Sequence, residues 1–157
     1  VPLFPVLLHA VRLPAALSDK KGLLTMAWDT VWLFLTICIV CVRDGSMEEL
    51  RGGLTVAAVY MLGVWLVFGI ARYAKIDRFK KAGCIAAVCG LWTAFGQDIC
   101  NWLLGEGIRL TIRSADFSSW NTDLQINANV YLIVLTGSLV LGGILFVTGL
   151  IKERKRG

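Results

Sequence analysis

Charge is scarce in this chain, and histidine is nearly absent. Of 157 residues, 17% are charged and one, His9, is histidine. A soluble domain carries about a quarter charged residues, so this shortage argues against an aqueous surface. One histidine excludes haem held by a histidine pair within the chain and leaves little for a metal centre. Nucleotide and protease motifs are missing too: there is no P-loop, dinucleotide fingerprint or H-E-x-x-H, and no N-x-[ST] acceptor. Gly105-Glu106-Gly107 lacks the next glycine and the strand context of a nucleotide loop. Ala128–Ile151 carries no charge, which excludes an Arg-rich voltage sensor. No cofactor is implied, and the reading is not an enzyme.

What the chain does contain is apolar length. Hydrophobic residues make up 57%, with a mean hydropathy of +0.69. They gather in four stretches, Leu23–Val42, Leu54–Ile70, Ala82–Leu104 and Ala128–Ile151. A helix crosses the hydrocarbon layer in about twenty apolar residues. Continuous runs of this kind must be helical, because barrel strands alternate over about ten residues.

The few charges are partitioned. Taking the connections alternately, twelve of the sixteen Lys and Arg fall on one side, leaving Arg43, Arg51, Arg109 and Arg113 on the other. Basic residues mark the cytoplasmic side, so both termini are expected inside, in a bacterial inner membrane. The pI of 9.1 then reports attraction to anionic lipids at the inner face rather than to nucleic acid.

The expected fold is an all-α polytopic membrane protein: four transmembrane helices in an antiparallel bundle, forming one domain over residues 1–157. Residues 1–22 are too interrupted for a fifth span, holding three prolines, His9 and Arg12. They read as an interfacial helix. A signal peptide is disfavoured, since no basic segment precedes the apolar run.

Between spans three and four lies the long outer connection, 105–127. In Gly107–Arg113, Ile108, Leu110 and Ile112 alternate with Arg109, Thr111 and Arg113, the period of a strand. Turn formers follow around Phe117 and Trp120. A small β-like flap is expected, needing a surface to lie against. Arg109, Arg113, Phe117 and Trp120 are its candidate partner contacts.

Within the spans, small residues at four-residue spacing (Ala82, Ala86, Gly90, Ala94) predict a packing seam ending at Asp98. Ser138-x3-Gly142 offers a matching step on the fourth span. Asp98 beside Gln97 is the most suggestive polar site, because an ionisable group in a span is costly. Asp29 lies at a different depth, so the two acids form no dyad but define a possible polar path. Cys38, Cys41 and Cys100 approach the outer ends of their spans, yet the outer loops hold no cysteine pair to exchange electrons with them.

Three functions compete. The preferred one is a non-enzymatic membrane protein acting through protein contacts, as a subunit of a larger complex or an immunity- or exclusion-type protein. Its partners would be other membrane subunits or copies of itself. The second is an oligomeric ion or proton channel or carrier using Asp98 and Gln97. The third is a membrane thiol oxidoreductase using Cys38, Cys41 and Cys100.

Overall fold

The computed structural model describes residues 20–107 and 109–155. The expected interfacial helix over 1–22 falls almost wholly outside them. Four long helices account for nearly all of the described chain: α1 (Lys21–Asp44), α2 (Met47–Tyr73), α3 (Arg78–Leu104) and α4 (Asp123–Arg154). All four are long and apolar enough to cross a membrane. At about 1.5 Å per residue, the 32 residues of α4 extend about 48 Å, more than the about 30 Å of hydrocarbon. The helices therefore outrun the apolar stretches, and polar and glycine caps set several of their ends.

Those caps are local chemistry. Asp77 accepts a hydrogen bond from the Phe79 N–H at 2.9 Å and starts α3. Thr122 starts α4 by accepting from the Gln125 N–H. Gly45 and Gly105 stop α1 and α3 with φ of +71° and +91°, which suits residues without a Cβ. At Gly105, the N–H groups of Gly105 and Glu106 fold back onto the carbonyls of Trp102 and Asn101. This is the Schellman arrangement that satisfies otherwise orphaned carbonyls.

The chain forms two compact units, Val1–Ala57 and Ala58–Gly157, with α2 running through the boundary. In the first, Gly45 and Ser46 alone separate α1 from α2, and Gly53 faces Ile37 closely. Trp28 and Trp32 meet edge to face on α1 at 6.0 Å. On α1, Thr25, Thr30 and Thr36 each donate a hydroxyl hydrogen bond to the carbonyl four residues back.

In the second unit, α3 and α4 lie antiparallel and in close contact. A Cβ on Gly83 would sit 2.5 Å from the Gly142 carbonyl oxygen, and one on Gly90 would sit 2.4 Å from the Ser138 Cβ. Glycine permits this approach, which in lipid replaces the missing hydrophobic drive with dense packing. Trp92 mediates the α2–α3 contact, donating from Nε1 to the Val59 carbonyl at 3.0 Å with its ring on Gly63.

The seam on α3 follows Gly83, Ala87, Gly90 and Ala94, not the strict four-residue row. Gly90, Ala94, Ser138 and Gly142 take part, whereas Ala82 is exposed and Ala86 half-buried. Four residues turn about 400°, so a strict row drifts about 40° per step, while alternating steps of four and three stay on one face.

The β-like flap is not present: no strand occurs among the described residues. Thr111–Ser114 forms a 3-10 turn instead. Arg113 N–H bonds to the Leu110 carbonyl, and Ala115 N–H to that of Ile112. Alternating side chains make a strand only where a second strand faces them. Here a turn closes at Asp116–Ser119 and α4 starts at Asp123, so no second strand faces it among the described residues.

Candidate functional site

Two polar side chains are buried among the described residues, Asp98 at 5% exposure and Asn129 at 0%. Burying either without partners would be costly. Both spend their hydrogen-bonding capacity on the connection between α3 and α4.

Asp98 sits near the end of α3 and accepts from Thr111. The Thr111 N–H lies 3.2 and 3.1 Å from its two carboxylate oxygens, and the Thr111 hydroxyl donates to Oδ1. This grip helps convert the expected strand into a turn, because the residue drawn inward is the polar Thr111. A recess of about 240 Å³ opens beside Asp98, lined also by Phe95, Ile99, Trp102 and Leu110.

Asn129 does the corresponding work from the second turn of α4. Its Oδ1 accepts from the Asp116 N–H at 2.7 Å, and its Nδ2 donates to the carbonyls of Asp116 at 2.8 Å and Ser119 at 3.2 Å. An amide carries both a donor and an acceptor, which pairing with the N–H and the C=O of one residue requires. Around it the loop closes on itself: Ser119 N–H reaches the Asp116 carbonyl, and the Ser119 hydroxyl reaches Gln125. Asp116 in turn accepts from the hydroxyl and N–H of Ser118. Those donors favour its charged form and hold its carboxyl below the usual value.

With its backbone held at Thr111 and at Asp116–Ser119, the loop turns large side chains outward. Phe117 is 54% exposed and Trp120 45%, their ring centroids 6.4 Å apart. Trp120 Nε1 donates to the Phe117 carbonyl at 3.1 Å, which fixes the indole. Arg109 and Arg113 are exposed on the same loop. Below Phe117 a recess of about 430 Å³ runs along α4, bounded by Leu132, Ile133, Thr136 and Gly137.

The remaining candidates are dispersed. Gln97 is exposed and donates to Asn101 at 3.1 Å, so it shares no partner with its buried neighbour Asp98. Asp29 is exposed on α1, in the other unit. Cys38 and Cys41 are half-buried free thiols in that unit, and Cys100 is a buried free thiol on α3. Among the described residues, no three His, Cys, Asp or Glu side chains gather to hold a metal. Chemically, the constellation around Asp98 and Asn129 positions backbone.

Sequence reasoning missed Asn129. Its signal was slight: the last of the amides Gln125, Asn127 and Asn129, falling at the very start of the apolar run Ala128–Ile151. No protein-family model matches the chain, and neither a curated protein nor a solved structure matches it.

Proposed function

We propose that this chain is a non-enzymatic integral membrane protein acting through protein contacts, made by the loop between α3 and α4. The observation that carries the reading is the use of both buried polar side chains, Asp98 and Asn129, to fix a loop whose aromatics stay exposed. Pre-ordering a loop lowers the entropy lost on association. Aromatic and Arg side chains are the commonest anchors of interfaces, and Phe117, Trp120, Arg109 and Arg113 supply both kinds. The recess below Phe117 adds a place for a partner side chain.

The lysine and arginine partition supports an orientation with this loop outside and both termini cytoplasmic, in a bacterial inner membrane. There the protein serves as a subunit of a larger assembly or as an immunity- or exclusion-type protein that blocks another membrane factor. The test is co-purification in mild detergent with intact-complex mass measurement. Wild type should carry a second polypeptide or copy, and Phe117→Ala with Trp120→Ala should release it while helix content is unchanged. Undiminished association in that double variant would sink the proposal.

A further inference from the structure

The opposite end of α3 and α4 holds a second concentration of charge. Its acids are already engaged: Glu153 pairs with Lys80, and Asp77 caps α3. Phe79 meanwhile gathers two cations from different helices. Lys152 Nζ of α4 lies 4.7 Å from its ring centroid, and Arg78 Cζ, at the start of α3, lies 5.8 Å away. Among the described residues neither cation has an ion-pair partner. A neutral ring offers modest attraction, so two like charges gather around one ring without an ion-pair partner among the described residues.

We infer that Arg78 and Lys152, with Phe79 as their shared floor, bind the headgroup phosphate of an anionic phospholipid. The connection leading to Arg78 is short: 74–77 join Tyr73 at the end of α2 to the start of α3. So short a link keeps both cations at the ends of spanning helices, at headgroup depth. Tyr73 before it and Ile76 within it are 58% and 41% exposed, an apolar and aromatic rim suited to the interface. Basic pockets between spanning helices take anionic headgroups in this layer, and a phosphate there supplies the missing counter-ion to both side chains. The inference rests on the membrane-spanning reading and is independent of the loop contact.

The test uses the full chain, reconstituted with equal phosphatidylglycerol and phosphatidylcholine, released in mild detergent and weighed intact. Wild type should retain phosphatidylglycerol in preference to phosphatidylcholine. Arg78→Gln with Lys152→Gln should lower that retention by about fivefold or more, whereas Arg154→Gln with Lys155→Gln, an equal loss of charge nearby, should change it less than about twofold. Phe79→Leu leaves both cations and tests the shared floor without a change of charge; it too should lower retention. Equal loss in both double variants would mean diffuse attraction and overturn the site, as would undiminished retention in Phe79→Leu. Displacement of the lipid by inorganic phosphate at matched concentration would assign the site to free phosphate and likewise overturn it.

Discussion

Replacing Asn129 with leucine keeps the branching and the number of side-chain heavy atoms but removes three hydrogen bonds, two to Asp116 and one to Ser119. The Asp116 carbonyl keeps the Ser119 N–H as a donor, so the groups orphaned are the Asp116 N–H and the Ser119 carbonyl. At a net value of about 0.5–1.5 kcal/mol per bond, the loss of three bonds costs the loop about 1.5–4.5 kcal/mol. Water can reach the exposed Asp116, which favours the lower half of that range. About 2.8 kcal/mol corresponds to about a hundredfold in the opening equilibrium. Amide hydrogen exchange should report it: the Asp116 N–H should exchange about a hundredfold faster, and the Thr111 N–H, held by Asp98, should change by less than about tenfold. Asn129→Asp should fail to rescue, because it sets an oxygen against two carbonyls. Exchange at Asp116 within about threefold of wild type in the leucine variant would refute the anchoring argument.

Asp98→Ala should release the other anchor, raising exchange at Thr111 by about ten- to a hundredfold, with Asp98→Asn intermediate because one acceptor oxygen remains. Gly83→Leu or Gly142→Val should force α3 and α4 apart and lower the melting temperature in detergent, since even a Cβ would meet the opposite carbonyl oxygen at 2.5 or 2.8 Å. Gly137→Ala, with nothing within 4 Å of the new Cβ, should instead be neutral or gain up to about 1 kcal/mol from helix propensity. The lowered Asp116 carboxyl makes the 116–118 turn sensitive to acid: its contribution is complete above the ordinary carboxylate value and is lost as pH falls through the lower folded one. The Ser118 amide shift should follow that titration, and Ser118→Ala should move its midpoint upward.

The four helices were legible because a continuous apolar run has few ways to satisfy its peptide groups in lipid. Their ends were less so. Met47–Leu50 continues α2 through two glutamates, and Asp77 and Thr122 cap helices from positions that a hydropathy reading treats as loop. The step Ser138-x3-Gly142 could be read directly, but its partner face on α3 required the helical angle to be followed, which moves the contact from Ala82 to Gly83. Asp98 stood out as a charge in a span, yet its partner Thr111 lies thirteen residues on and is set only by the turn at Gly105. Asn129 was hidden by its neighbours, since one amide barely alters the mean hydropathy of a long apolar segment. The alternation in Gly107–Arg113 misled because strand periodicity says nothing about whether an opposing strand exists.

A loop between α3 and α4 that meets protein can be caught in place. A photo-crosslinking side chain placed at Phe117 or at Trp120 in native membranes, and separately at the exposed Val140 of α4, tests it most directly. A discrete protein adduct should form from both loop positions and disappear when Asn129→Leu is combined with Asp98→Ala. Only lipid adducts from the loop positions, or a protein adduct unaffected by loss of both anchors, would contradict that contact.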